Sequence, residues 1–158
     1  MSPAQATPTI RSADPADYPA VAALRWHWVA EQDGSPELDR AEFVQEFTEW
    51  AHAHQDSHRC FVAARGDQLL GMAFLAITPR VPTPRSFSRT SGDVQCVYVV
   101  PEERDSGLGG QLIEATLAFA AELGLERVTV HSSERAVPGY QRWGFDASPL
   151  LLQRDLRR

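Results

Sequence analysis

Val97-Tyr98-Val99-Val100-Pro101-Glu102-Glu103-Arg104-Asp105-Ser106-Gly107-Leu108-Gly109-Gly110 runs from a β-prone stretch into a glycine-rich turn. β-Branched and aromatic residues favour a strand over Val94 to Val100, and Pro101 ends it. Beyond the turn, Leu112, Thr116, Phe119 and Leu123 recur along one helical stripe. A long helix is therefore expected over Gly109 to Leu123, with Gly124 as its C-terminal cap. A strand that feeds a glycine turn and then a helix leaves the first helical amides unpaired and partly positive. Such amides suit a phosphate oxygen, and glycine lets the backbone approach it. A Gly-x-Gly alone fits an ordinary tight turn as well. A dinucleotide site would need a small residue where Leu112 stands, and no second βαβ half follows.

Upstream, Thr9-Ile10-Arg11 can open a strand, and Asp14-Pro15 reads as a helix start. The helix carries Val21, Leu24 and Trp28 at helical spacing and stops near Asp33-Gly34. A second helix is expected from Glu37 to His54, burying Leu38, Ala41, Val44, Phe47 and Ala51. Two apolar runs, Cys60 to Ala64 and Leu69 to Ile77, flank Arg65-Gly66-Asp67-Gln68 and predict a hairpin. Thr78 to Gly92 reads as a loop rich in Pro, Ser, Thr and Arg. Downstream, a strand is expected over Arg127 to His131, a short helix over Ala136 to Trp143, and a closing strand over Leu150 to Leu156. Strands and helices mixed around one sheet give an α/β or α+β domain. Residues 1–8 are expected to be a disordered tail, and 9–158 a single domain.

Composition narrows the function. The net charge is -6, which argues against a nucleic-acid partner, since that needs a basic face. All 15 basic residues are arginine. A phosphate-binding Walker loop and a Schiff-base chemistry, both of which need lysine, are excluded. Cys60 and Cys96 lie in apolar runs without a Cys-x-x-Cys pair and read as buried free thiols. The longest apolar run, Leu69 to Ile77, is too short to cross a bilayer, and Met1 to Thr9 lacks the pattern of a signal peptide. A soluble, cytoplasmic protein with no membrane partner is expected. His52, His54 and His58 are near one another in sequence, but the first two point to nearly opposite sides of a helix, so no metal is expected.

Arg104-x-x-Gly107-x-Gly109, set after Val-Tyr-Val-Val-Pro, resembles the acetyl-CoA signature of the GNAT superfamily of N-acetyltransferases. Ser133-x-x-Ala136-x-x-x-Tyr140-Gln141-Arg142-Trp143-Gly144-Phe145 resembles the closing motif of the same superfamily. One long helix and one strand separate the two motifs, as in that superfamily, and the order of elements fits from Thr9 onward. The resemblance implies a mixed, mostly antiparallel sheet flanked by helices, with two parallel strands splayed apart around the cofactor. It implies acetyl-CoA as cosubstrate, held by Val99 and Val100 of the central strand and by Arg104, Asp105, Ser106, Gly107, Leu108, Gly109 and Gly110 of the loop. Ser133 stands where many members place an Asn that touches the cofactor, and it can equally cap the helix that follows.

The implied reaction is direct attack by a primary amine of a small molecule or peptide. Tyr140 matches the general acid that protonates the departing thiolate; a phenol suits because its pKa of about 10 lies near that of a thiol. Asp93 is the first candidate for the base and His131 the second. A homodimer is also compatible with the resemblance. The alternatives are a non-catalytic acyl-CoA-binding module of the same fold and a transferase for another acyl group. Asp105 and Ser106 depart from the usual loop, which has Gly and a basic residue there; an acid near a phosphate is unfavourable unless it turns to solvent. Seven acidic residues lie between Glu31 and Glu49 against one Arg40. Such a wall would attract a cationic amine, or it is simply a solvated helix face.

Overall fold

The computed structural model describes residues 6–157. Five strands form one sheet in sequence order: β1 (Thr9–Ser12), β2 (His58–Arg65), β3 (Gln68–Arg80), β4 (Arg89–Val99) and β5 (Val128–Val130). The first four run antiparallel, and β5 joins β4 in parallel. Four helices flank the sheet: α1 (Tyr18–Asp33), α2 (Arg40–Ala53), α3 (Leu108–Glu122) and α4 (Val137–Arg142). This is the mixed, mostly antiparallel architecture with a splayed parallel pair that the sequence resemblance implies. Most of the expected tail over 1–8 lies outside the described residues; within them, Ala6 O accepts from Arg65 Nε at 2.9 Å.

The sheet has an apolar layer on each face. On one, Val21 and Leu24 of α1 and Phe47 of α2 pack with Cys60, Met72, Phe74 and Tyr98. On the other, Leu108, Leu112 and Ile113 of α3 cover Phe61, Leu70, Leu75 and Val94. Alternation along each strand sends successive side chains to opposite layers, so β3 is buried on both faces from Leu69 to Ala76.

Local chemistry accounts for most boundaries. Gly66 takes φ +60° at the first of two turn residues between β2 and β3, a conformation that L side chains avoid. Asp39 caps α2 by accepting from Ala41 N at 3.2 Å, so this helix begins three residues later than the Glu37 start its apolar spacing predicts. Its expected buried stripe is shallow: Ala51 is buried, whereas Val44 and Phe47 are half-buried and Ala41 is exposed.

Two expectations are corrected. The loop expected over Thr78 to Gly92 is strand at both ends, with Thr78, Pro79 and Arg80 pairing Ser91, Thr90 and Arg89, and only residues 81–88 remain as the connection. Pro79 is tolerated because Ile77 N, two residues earlier, donates outward to Ser57 O at 2.7 Å; the same side is open at Pro79, where β2 has already ended, so no ladder bond is lost. The strand expected over Leu150 to Leu156 does not form. A strand requires a neighbour to accept its hydrogen bonds, and the free edge, β5, is three residues long. Leu150, Leu151, Leu152 and Leu156 are instead 89%, 61%, 86% and 83% exposed.

Candidate active site

The site begins with an irregularity in β4. From Gly92 to Val94 this strand pairs with β5 on one side and β3 on the other. The pairing with β5 then stops. Two residues later Cys96 takes φ +56°, and the register against β3 shifts between Met72 and Phe74. Cys96 and Val97 thus oppose the single residue Ala73, which is a β-bulge; such bulges bend a strand and re-aim its side chains. Beyond it the strand carries on alone beside a gap.

The bulge also decides which backbone groups face that gap. Val100 N donates to Leu70 O at 2.9 Å, into the sheet. By alternation, the amides and carbonyls of Val97 and Val99 face the open side. Of the two residues expected to meet a cofactor, Val99 turns its backbone groups to the open side, while the amide of Val100 is used within the sheet. Val97, which sequence reasoning did not single out, faces the same open side as Val99 and lines the cavity there. No glycine marks the bulge, so nothing local in the sequence signals it.

A cavity of about 350 Å³ lies at the gap. Val97, Gly109 and Tyr140 line it together with Gly139 and Trp143, so β4, the start of α3 and α4 meet there. Among the described residues no side chain caps α3; its N-cap is Gly107 at φ +87°. Gln111 N is the first amide with a helical partner, Gly107 O at 3.1 Å. The amides of Leu108, Gly109 and Gly110 therefore begin the helix without intrahelical acceptors, which is the arrangement that binds an anion. Gly110 has a second role. A Cβ there would meet the Trp143 indole at 2.9 Å, so its bare backbone lets α4 seat on α3.

Tyr140 is half-buried, edge-on to Trp143 and to Phe145 at centroid distances of 5.7 and 5.5 Å. Burial pushes its phenol above the ordinary value of 10.0. Tyr140 also borders a larger cavity of about 680 Å³ between β5, α4 and the terminal segment. Asp93 lies on the other face of the sheet. Its neighbour Val94 packs against Ile113 of α3; alternation turns Asp93 and Gln95 the opposite way. The Asp93 carboxylate accepts from Thr129 Oγ1 at 2.7 Å and Gln95 Nε2 at 3.0 Å. The structure does not bring Asp93 into the Tyr140 cavity. Ser133 Oγ accepts from Ala136 N at 3.3 Å, the capping role. His131 is exposed.

In the loop, Asp105 is exposed and adopts φ +64°, and Ser106 Oγ donates to Glu103 O. The Arg104 side chain is turned away from the helix start. Its Nε donates to Val99 O at 3.1 Å, and Nη1 and Nη2 donate to the Glu31 carboxylate of α1 at 2.8 and 3.3 Å. The Arg104 charge is therefore paired with Glu31 and not placed at the start of α3. Two other arginines are committed elsewhere: Arg65 pairs with Glu103 at 2.6 Å, and Arg89 forks onto Glu126. Of the expected histidine group, His54 and His58 both pack on Trp50, while His52 meets Tyr18.

Comparison with known proteins matches this arrangement. A family model described as "Acetyltransferase (GNAT) family" covers residues 20–145. A glucosamine 6-phosphate N-acetyltransferase of Trypanosoma brucei brucei is 32% identical over 89 residues, which is 56% of this chain and 58% of that protein. The chain thus matches under two thirds of that relative's length. The fold is shared with a predicted acetyltransferase of Clostridium acetobutylicum solved with acetyl-CoA, at TM-score 0.77 and 19% identity over 95% of this chain and 97% of that one. It is shared as well with the glucosamine-6-phosphate N-acetyltransferase of Arabidopsis thaliana, at TM-score 0.73 and 16% identity over 96% and 100%.

Proposed function

The chain belongs to the GNAT acetyltransferase family, and from that premise we propose that it transfers an acetyl group from acetyl-CoA to a primary amine of a small molecule or peptide. The observation that carries this reading is the cleft beside the β4 bulge, where Val97, Gly109 and Tyr140 meet next to an uncapped helix start. Acetyl-CoA, when bound, supplies the activated acetyl group. The amides of Leu108, Gly109 and Gly110 would hold its phosphates, and the open amides of Val97 and Val99, with Val97 O, would pair with its amide-bearing arm, since Val99 O accepts from Arg104 Nε.

Tyr140 donates its hydroxyl proton to the sulfur that leaves. A phenol is matched to that task because its pKa and that of a thiol are close, and burial keeps the proton in place to above pH 10. Asp93 takes a proton from the acceptor ammonium. Hydrogen bonds from Thr129 Oγ1 and Gln95 Nε2 fix the position of its carboxylate. The two groups open onto the sheet from opposite faces, so proton removal and proton donation do not compete for one place.

Thiol release from acetyl-CoA, measured across glucosamine 6-phosphate, 1-aminopentane, 1,5-diaminopentane and a peptide N-terminus, tests the reading. Turnover with at least one amine is expected. CoA binding by calorimetry without turnover would move the protein to a non-catalytic acyl-CoA-binding module. Absence of both overturns the reading.

A further inference from the structure

We infer that Glu31, Tyr98 and Trp28 form a cation-binding corner, filled in the free protein by Arg104, that receives a second positive charge of the acceptor once Arg104 is drawn to the cofactor phosphates. The inference rests on the acetyl-transfer reading for its ligand, although the corner itself can be tested without it.

Three observations carry it. First, of the seven acidic residues from Glu31 to Glu49, Glu31 is the one among the described residues whose carboxylate reaches β4; Tyr98 Oη donates to its Oε2 at 2.9 Å. Asp39 is spent on its cap; Glu31 is itself exposed like the other five, so its bond to Tyr98 is what sets it apart. Second, the corner has the composition that holds organic cations, a carboxylate beside aromatic faces. Trp28 stacks on Tyr98 at 5.3 Å, Arg25 lies 4.8 Å above the Trp28 ring, and the Arg104 guanidinium lies 5.5 Å from the Tyr98 ring centre. Third, the cation now there comes from the phosphate-binding loop and is bonded to Val99 O, on the open side of β4.

Arg104 therefore has two anionic claimants, Glu31 and a phosphate. A phosphate at the helix start competes for the guanidinium, and when it wins, Glu31 loses its counter-charge. An acceptor with a second ammonium restores it. Tyr98 is one residue past Val97, which lines the Tyr140 cleft, and on the opposite face. The corner is thus displaced from the reacting position, so the second charge must be separated from the reacting amine. This favours an α,ω-diamine or a cationic peptide over an amino-sugar phosphate, whose anion Glu31 would repel. By linkage, cofactor and diamine strengthen each other's binding.

The experiment uses 1,5-diaminopentane and acetyl-CoA as probes. Arg104→Ala removes the cation from Glu31 and Tyr98 without cofactor, leaving Arg25 on Trp28, and calorimetry is expected to show 1,5-diaminopentane binding to R104A about tenfold tighter than 1-aminopentane. The preference should vanish in R104A/E31Q. In the otherwise natural chain, Glu31→Gln removes the competitor for Arg104, so acetyl-CoA should bind E31Q several-fold tighter. Thermal melts check that each variant folds. No diamine preference in R104A, or unchanged acetyl-CoA affinity in E31Q, overturns the corner. Wild-type protein that acetylates amines but ignores the second charge sinks this inference and leaves the transferase reading intact. Diamine binding to R104A with no acetyl-CoA binding to the wild type does the reverse.

Discussion

The two halves of β4 have different neighbours. From Gly92 to Val94 the strand is held by β3 and β5, and Val94 is 3% exposed beneath α3. From Val97 to Val99 it has β3 on one side and a gap on the other, and its side chains reach both the Tyr140 cleft and the Glu31 corner. The closed half has its hydrogen bonds satisfied within the sheet, so substitutions of its buried apolar side chains should be read in stability. The open half leaves backbone groups toward the gap that Tyr140 of α4 borders, so substitutions around that gap should be read in activity. One β-bulge at Cys96 separates the two behaviours within a single strand.

The sharpest test of the open half is Tyr140→Phe. It keeps the ring against Trp143 and Phe145 and removes the proton donor. A fall in kcat of about 10²–10³-fold is expected, with little change in Tm. In the wild type, the phenol must be protonated to act, and its pKa is raised; kcat should therefore not decline through Tyr140 ionisation until the pH passes 10. A decline below that, assigned to Tyr140 by its loss in the Phe variant, would contradict the buried phenol.

For the closed half, Leu75→Ala removes a fully buried side chain opposite Val94. A cost of about 3 kcal/mol is expected from denaturant unfolding, with kcat of the folded fraction retained. A large loss of kcat at small stability cost would erase the contrast. Gly110→Ala sits where the two behaviours meet, because the new Cβ strikes the Trp143 ring. It should cost about 2 kcal/mol and also lower kcat, since α4 carries Tyr140. Asp93→Asn has the smallest expected effect. The amide can still accept from Thr129 or Gln95, so Tm should hold, while kcat/KM at neutral pH falls about tenfold. An unchanged kcat/KM would leave Asp93 as a purely structural carboxylate.

Features set by near neighbours in the chain were legible. The turn at Gly66, the left-handed cap residues Gly124 and Gly144, and the helical stripe through Leu112 and Thr116 all depend on residues within one or two turns. Tyr140 was singled out through its motif, and in the structure it is half-buried and lines one cavity with Gly109. The Arg104–Glu31 pair was not legible, because its members are 73 residues apart and belong to different layers. Nor was the bulge, since Cys96 holds a left-handed φ without the glycine that usually signals one. Leu150 to Leu156 has the composition of a strand but no edge long enough to pair with, and composition does not reveal a missing neighbour.

By itself the sequence determined the order of elements from β1 to α4, the glycine turn opening α3, the absence of lysine chemistry and the position of Tyr140. Each follows from dihedral preference, periodicity or side-chain chemistry, which act over a few residues. The tertiary structure alone decided where β4 parts from β5, which backbone groups face the gap, and whether the Arg104 charge points to the phosphate loop or to Glu31. Those outcomes depend on hydrogen-bond partners and counter-charges brought together by the sheet, and a linear pattern carries no record of which distant group arrives.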